Sequence, residues 1–149
     1  METQTHDAKA DIDQLNAFLR DELSAVETYQ QCLRKIDRPQ ITSGLTDLQR
    51  SHQKRVTMLS QRVQELGGTP ETDSGMWGSF SKLVQGGAAM FGEKSALSAL
   101  EEGEDRGVKN YQSGADKLSP ANKMFINTSI IPEHHHSHDA LNRLKSVIH

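Results

Sequence analysis

The chain lacks most of what would mark a secreted, membrane-spanning or nucleic-acid-binding protein. Its 149 residues include one cysteine, Cys32, which excludes an intrachain disulfide framework and fits a reducing compartment. Aromatics make up 5% of the chain, and the prolines are Pro39, Pro70, Pro120 and Pro132. With so few of either, and only short β-branched runs among abundant Leu, Ala, Gln, Glu, Lys and Ser, an all-α fold is expected. No apolar run approaches the ~20 residues that cross a bilayer. The polar, acidic opening METQTHDAKADIDQL is not a signal peptide. A net charge of −3, with no polybasic block, argues against a nucleic-acid partner. These absences predict a cytoplasmic chain with no membrane partner, folded as a single domain over 1–149.

What is present is helical periodicity. Ile12, Leu15, Phe18, Leu19, Val26, Leu33 and Ile36 keep the spacing of one helix face from about Ala8 to Ile36, where Asp37 and Pro39 break it. Ile41, Leu45, Leu48, Val56, Leu59, Val63 and Leu66 mark a second helix, closed by Gly67-Gly68. A third runs from about Ala96 to Leu118 with Ser95 as its N-cap, and a fourth starts at Ser119-Pro120 and continues to Ile148. Pro132 lies inside the fourth and is expected to kink it. Short links make the first two helices antiparallel, and likewise the last two, whereas the long second-to-third connection can cross the whole bundle. That crossover carries a Gly-rich amphipathic stretch, about Met76 to Phe91, read as a short extra helix. Trp77 and Phe80 within it offer a homodimer contact, and packing against the bundle accounts for them equally well.

The helices repeat one another. ELSAVETY and EDRGVKNY both read Glu-x-x-x-Val-x-x-Tyr, with Glu22, Val26, Tyr29 in one and Glu104, Val108, Tyr111 in the other. At about 100° per residue, Glu22 falls in the stripe of Leu15, Leu19, Val26 and Tyr29. Glu104 falls likewise among Leu97, Leu100, Val108 and Tyr111. A buried carboxylate costs several kcal/mol, on the order of the figures for isolated buried ions, unless it is paired or bound to metal. Two on matching helices point to a built site. His52 lies on the second helix's stripe. On the fourth, the stripe of Ala140, Leu141, Leu144, Val147 and Ile148, extended backward, passes close to Glu133. His136 then lies on one flank, His134 and His138 on the other, and His135 faces away. Ser51-His52 and Ser137-His138 also suggest His138 as the repeat partner of His52.

Four segments, LQRSHQKRV, SGMWGSFSKLVQGGAAMFGEKSAL, LEEGEDRGVKNY and IPEHHHSHDAL, together with Glu22, resemble the ferritin-like superfamily. They look closest to a bacterial branch known mainly as a domain of unknown function. The resemblance implies a ferritin-like four-helix bundle. Its di-iron carboxylate members use one Glu from each of two helices and Glu-x-x-His from each of the others. Glu22 and Glu104 match the single glutamates, and Glu133 with His136 match one Glu-x-x-His. On the second helix Gln49 stands where a carboxylate is expected before His52, which removes one anionic ligand.

The candidate metal ligands are therefore Glu22, His52, Glu104, Glu133, His136 and His138, with Fe, as a di-iron pair or otherwise, or Zn or Mn as the ion. The function this implies is iron handling or oxidative-stress protection, with ferroxidase- or peroxidase-like chemistry. Tyr29 and Tyr111 would hydrogen-bond the ligands or donate an electron, or serve as plain core residues. The rival is a metal-free bundle, a stress or interaction protein that has lost the di-iron chemistry and pairs Glu22 and Glu104 with His52 and His138. A third reading makes the histidine tract a surface chelator. Nucleophile elbows and P-loops are absent.

Overall fold

Leu15, Glu22 and Tyr29 are seven residues apart, as are Leu45, His52 and Leu59, and Leu97, Glu104 and Tyr111. That is the repeat of helices packed at a shallow angle in a left-handed bundle. The computed structural model describes residues 2–74 and 92–147 and shows helices packed against one another as a bundle. Helix α1 spans Glu2–Lys35, α2 Pro39–Glu65 and α3 Glu93–Ala115. The fourth helical stretch comprises α4, Pro120–Phe125, a π-helical segment, Ile126–Ile130, and α5, Ile131–Ser146. Among the described residues there is no strand. None of the described helices is long and apolar enough to cross a membrane. The link 36–38 and the turn 116–119 set neighbouring helices antiparallel, and the connection between the second and third helices is long, 66–92. The short helix expected within Met76 to Phe91, with Trp77 and Phe80, lies outside the described residues.

The ends of the helices follow local chemistry. Gly67 takes a φ of 86°, and its N–H and that of Gly68 bond back to the Gln64 and Val63 carbonyls, so α2 ends in a left-handed glycine cap. Ser119 is extended ahead of Pro120, as expected. The capping oxygen, however, comes from another helix: buried Asp11 accepts the Ser119 N–H at 3.1 Å and an Asn122 Nδ2 hydrogen at 2.6 Å. That carboxylate stitches α1 to the start of α4. Helix α3 begins earlier than expected, with Gly92 rather than Ser95 as its N-cap.

The anticipated break at Pro132 takes the form of the π segment just before it. Proline has no N–H for the carbonyl one turn earlier, and the wider turn absorbs the lost bond. Asn122, Ile126, Ile130 and His134 are consequently buried at a spacing of four.

Two apolar clusters fill the bundle. One gathers Tyr29, Ile36, Ile41, Leu45, Leu97, Leu100 and Leu141, and the other Leu15, Phe18, Leu19, Leu59, Tyr111, Ile126 and Ile130. Between them lies a layer of buried polar side chains: Glu22, His52, Arg55, Glu104, His134 and Ser137.

Candidate functional site

Each helix delivers its polar residue at the seam position of the seven-residue repeat, so the side chains meet at one level. His52 sits between the two glutamates, with Nδ1 2.5 Å from Glu22 Oε1 and Nε2 2.7 Å from Glu104 Oε1. The expected convergence of Glu22, His52 and Glu104 is what the structure shows. Tyr29 donates to Glu104 Oε1 at 2.7 Å, and Tyr111 donates to Glu22 Oε2 at 2.5 Å. Ser137 Oγ lies 3.1 Å from Glu104 Oε2 and 2.8 Å from the His134 carbonyl.

Arg55, which was not among the candidates named from the sequence, completes the layer. It is 0% exposed. Its Nε lies 2.7 Å from Glu22 Oε2, a charge contact rather than an aligned hydrogen bond, and its Nη1 donates to Ser137 Oγ at 3.3 Å. Its Nη2 is 2.5 Å from His52 Nδ1. A protonated ring nitrogen cannot accept there, so two cations are held in contact by the carboxylates around them.

Electrostatics fit that assignment. Burial alone would raise the Glu22 carboxyl, but Arg55 and His52 outweigh it and hold it below the usual carboxylate range. Burial likewise opposes ionisation of Glu104, and His52 overcomes it, again holding the group low. For His52, burial and Arg55 disfavour the cation, yet Glu104 and Glu22 prevail and raise its pKa. Burial and the adjoining carboxylates push both tyrosines well above their ordinary value, so they remain neutral donors. The layer thus sets two carboxylates against the Arg55 guanidinium and an imidazole whose two nitrogens both face carboxylates.

Three expected site residues lie elsewhere. Glu133 accepts from Ser51 Oγ at 2.9 Å and faces Lys54 at 3.6 Å on the α2–α5 seam. His136 is exposed. His138, half-buried, pairs with Asp105 at 2.9 Å near the surface. The physical reason is the phase of α5. Its buried stripe is His134, Ser137, Leu141 and Leu144, and including Val147, which is exposed, had rotated the expected face. His134 is the member of the tract that turns inward. It is 2% exposed, with Nε2 donating to the Glu104 carbonyl at 2.8 Å. Burial lowers its pKa, against the pull of Glu104. Gln49 also lies off the site, donating to the Val26 carbonyl at 3.1 Å on the α1–α2 seam.

This donor set does not suit a metal centre. Each core carboxylate already accepts from two or more side chains, and both His52 ring nitrogens face carboxylates. A dication would also have to sit beside the Arg55 guanidinium, whose charge is permanent. Among the described residues, no three His, Cys, Asp or Glu side chains are arranged to hold a metal ion.

Comparisons with known proteins agree with the fold. The chain is similar to a solved structure described as "ferritin like, diiron-carboxylate proteins" from Bacillus anthracis str. Ames. The TM-score is 0.67 at 19% identity, over 94% of this chain and 98% of that one. No curated protein matches. Residues 10–117 match the family described as Domain of unknown function (DUF2383), a span that includes Glu22, His52, Arg55 and Glu104. The chain belongs to the DUF2383 family and has a ferritin-like fold.

Proposed function

We propose that this protein is a single-domain ferritin-like bundle that works without a metal, as a structural or interaction module rather than a ferroxidase. The observation that carries the reading is Arg55, fully buried with its guanidinium against Glu22. In a di-iron protein the metals neutralise the core carboxylates; here two side-chain cations do so. A buried charge is tolerated when it is paired and hydrogen-bonded, and this layer meets that condition without an ion. Iron handling, implied by the resemblance, would require displacing Arg55. The metal-free rival fits better, with Arg55 rather than His138 as the second cation.

Metal titration followed by thermal melting tests this. A ligand that binds only the native state raises the melting temperature with its concentration. Fe(II), Zn(II) and Mn(II) are expected to leave the wild-type melting temperature unchanged. In Arg55→Met, which removes the resident cation, Zn(II) is expected to raise it. A metal-dependent rise in the wild type, abolished by Glu22→Gln, would overturn the reading.

A further inference from the structure

One buried atom of the layer is unaccounted for. His134 donates Nε2–H to the Glu104 carbonyl, so in the neutral ring Nδ1 carries a bare lone pair. Nδ1 is fully buried and has no hydrogen-bond partner among the described residues. An unsatisfied buried polar atom is costly, and native proteins rarely leave one so. Beside the ring lies a cavity of about 10 Å³, lined by Phe18, Asp21, Glu22, His52, Gly107, Asn110, Tyr111 and His134. That is the room needed for about one water.

The position of Gly107 accounts for the opening. It occupies a seam position of the α3 repeat, where a side chain would ordinarily fill the core. A Cβ there would come within 2.9 Å of His134 Cε1, so glycine is what lets the imidazole approach α3 this closely. Toward the surface the cavity shares Phe18, Asp21 and Asn110 with an open cleft between α1 and α3 that also includes Gln14, Ser113 and Lys117.

The chemistry selects the occupant. An apolar atom would leave Nδ1 unsatisfied. An anion would face Glu22 and Asp21, and a cation would stand against His52, which lines the same cavity and is held toward its charged form. We propose that the cavity binds one water molecule, which donates to His134 Nδ1 and links the core layer to solvent through the α1–α3 seam. Tyr111, Glu22 and His52 line the same cavity, so this water gives protons a route to them, and the Tyr111–Glu22 and Glu22–His52 hydrogen bonds lead on from there without opening of the bundle. The site is thus a proton port into a sealed ionic core. The proposal rests on the metal-free reading, because a metal on Nδ1 would take the same lone pair.

Two measurements test it. A high-resolution crystal structure of the metal-free protein should show a water oxygen about 2.7–3.2 Å from Nδ1. Solvent exchange of the His52 ring N–H protons, followed by NMR on 15N-histidine-labelled protein, should be fast compared with global unfolding. Asn110→Leu, at the exposed mouth, should slow that exchange about tenfold, which corresponds to roughly 1.4 kcal/mol in the opening step, with stability unchanged. Gly107→Ala should slow it as well; Asn110→Leu keeps the test open if Gly107→Ala does not fold. A dry cavity, or an occupied one whose sealing leaves exchange unchanged, overturns the port while the metal-free reading stands. A metal ion found on Nδ1 overturns both.

Discussion

The polar layer and the apolar clusters on either side of it are built on the same seven-residue repeat, yet they resist change in different ways. In the clusters, Leu97 and Leu100 on α3 face Leu45 and Leu141 from other helices, and volume is what matters. In the layer, Glu104 on the same stripe of α3 faces His52, Tyr29 and Ser137, and charge matters more than volume. A neighbouring pair of positions one turn apart, Leu100 and Glu104, thus belongs to two different kinds of core.

The sharpest way to expose the difference is to remove one charge. Arg55→Met keeps length and volume close but leaves two buried carboxylates facing one imidazolium, and should cost about 3–5 kcal/mol. Glu104→Gln should cost a similar amount. Leu97→Met, equally volume-conserving, should cost under about 1.5 kcal/mol. Chemical denaturation with a constant slope reads all three; equal losses at Leu97 and Arg55 would erase the distinction.

pH separates the regions next. His52 has a folded pKa raised above its ordinary 6.5, so its contribution is complete below that value and is lost as pH rises through the folded pKa. Glu22 and Glu104 are held below 4.5, so theirs is present above 4.5 and lost as pH falls through their folded values. His134, lowered from 6.5 and buried neutral, also loses stability as pH falls below 6.5. The stability profile should therefore peak near 6.5 and decline on both sides. His52→Gln should flatten the alkaline limb, whereas Leu100→Ala should lower the whole curve without changing its shape.

A smaller effect comes from the hydroxyls at the border of the layer. Tyr29→Phe and Tyr111→Phe each delete one donor to a carboxylate and should cost about 1–3 kcal/mol. Smallest of all, His135→Ala and His136→Ala on the exposed face of α5 should stay within about 0.5 kcal/mol of wild type. A loss at either comparable to that at His134 would place the tract's energetics at the surface.

The bundle itself was legible in the spacing, because helical periodicity and two short turns leave few alternatives. Glu22, His52 and Glu104 were legible too, since charges on an apolar stripe stand out. What misled was the next position on each helix. Val26, Val56 and Val108 are apolar and four residues on, so they drew the stripe toward themselves. The structure leaves them half-buried and turns inward Ala25, Arg55 and Gly107, three residues on. These follow the seven-residue rule, but an alanine, an arginine and a glycine carry little apolar signal, and arginine is seldom fully buried. The same error rotated α5. Leu141 and Leu144 lead back through Ser137 to His134, and a serine at the intervening turn hid the path. Spacing alone could have found Arg55; hydrophobicity could not.

The central claim is that side-chain cations replace the metals of a di-iron bundle. Metal analysis of untagged protein, purified without metal resin from cells grown with ample iron and zinc, tests it most directly. The account predicts no stoichiometric iron, zinc or manganese in a folded protein with an intact melting transition. One or two metal ions bound per chain, and lost on Glu22→Gln, would contradict it.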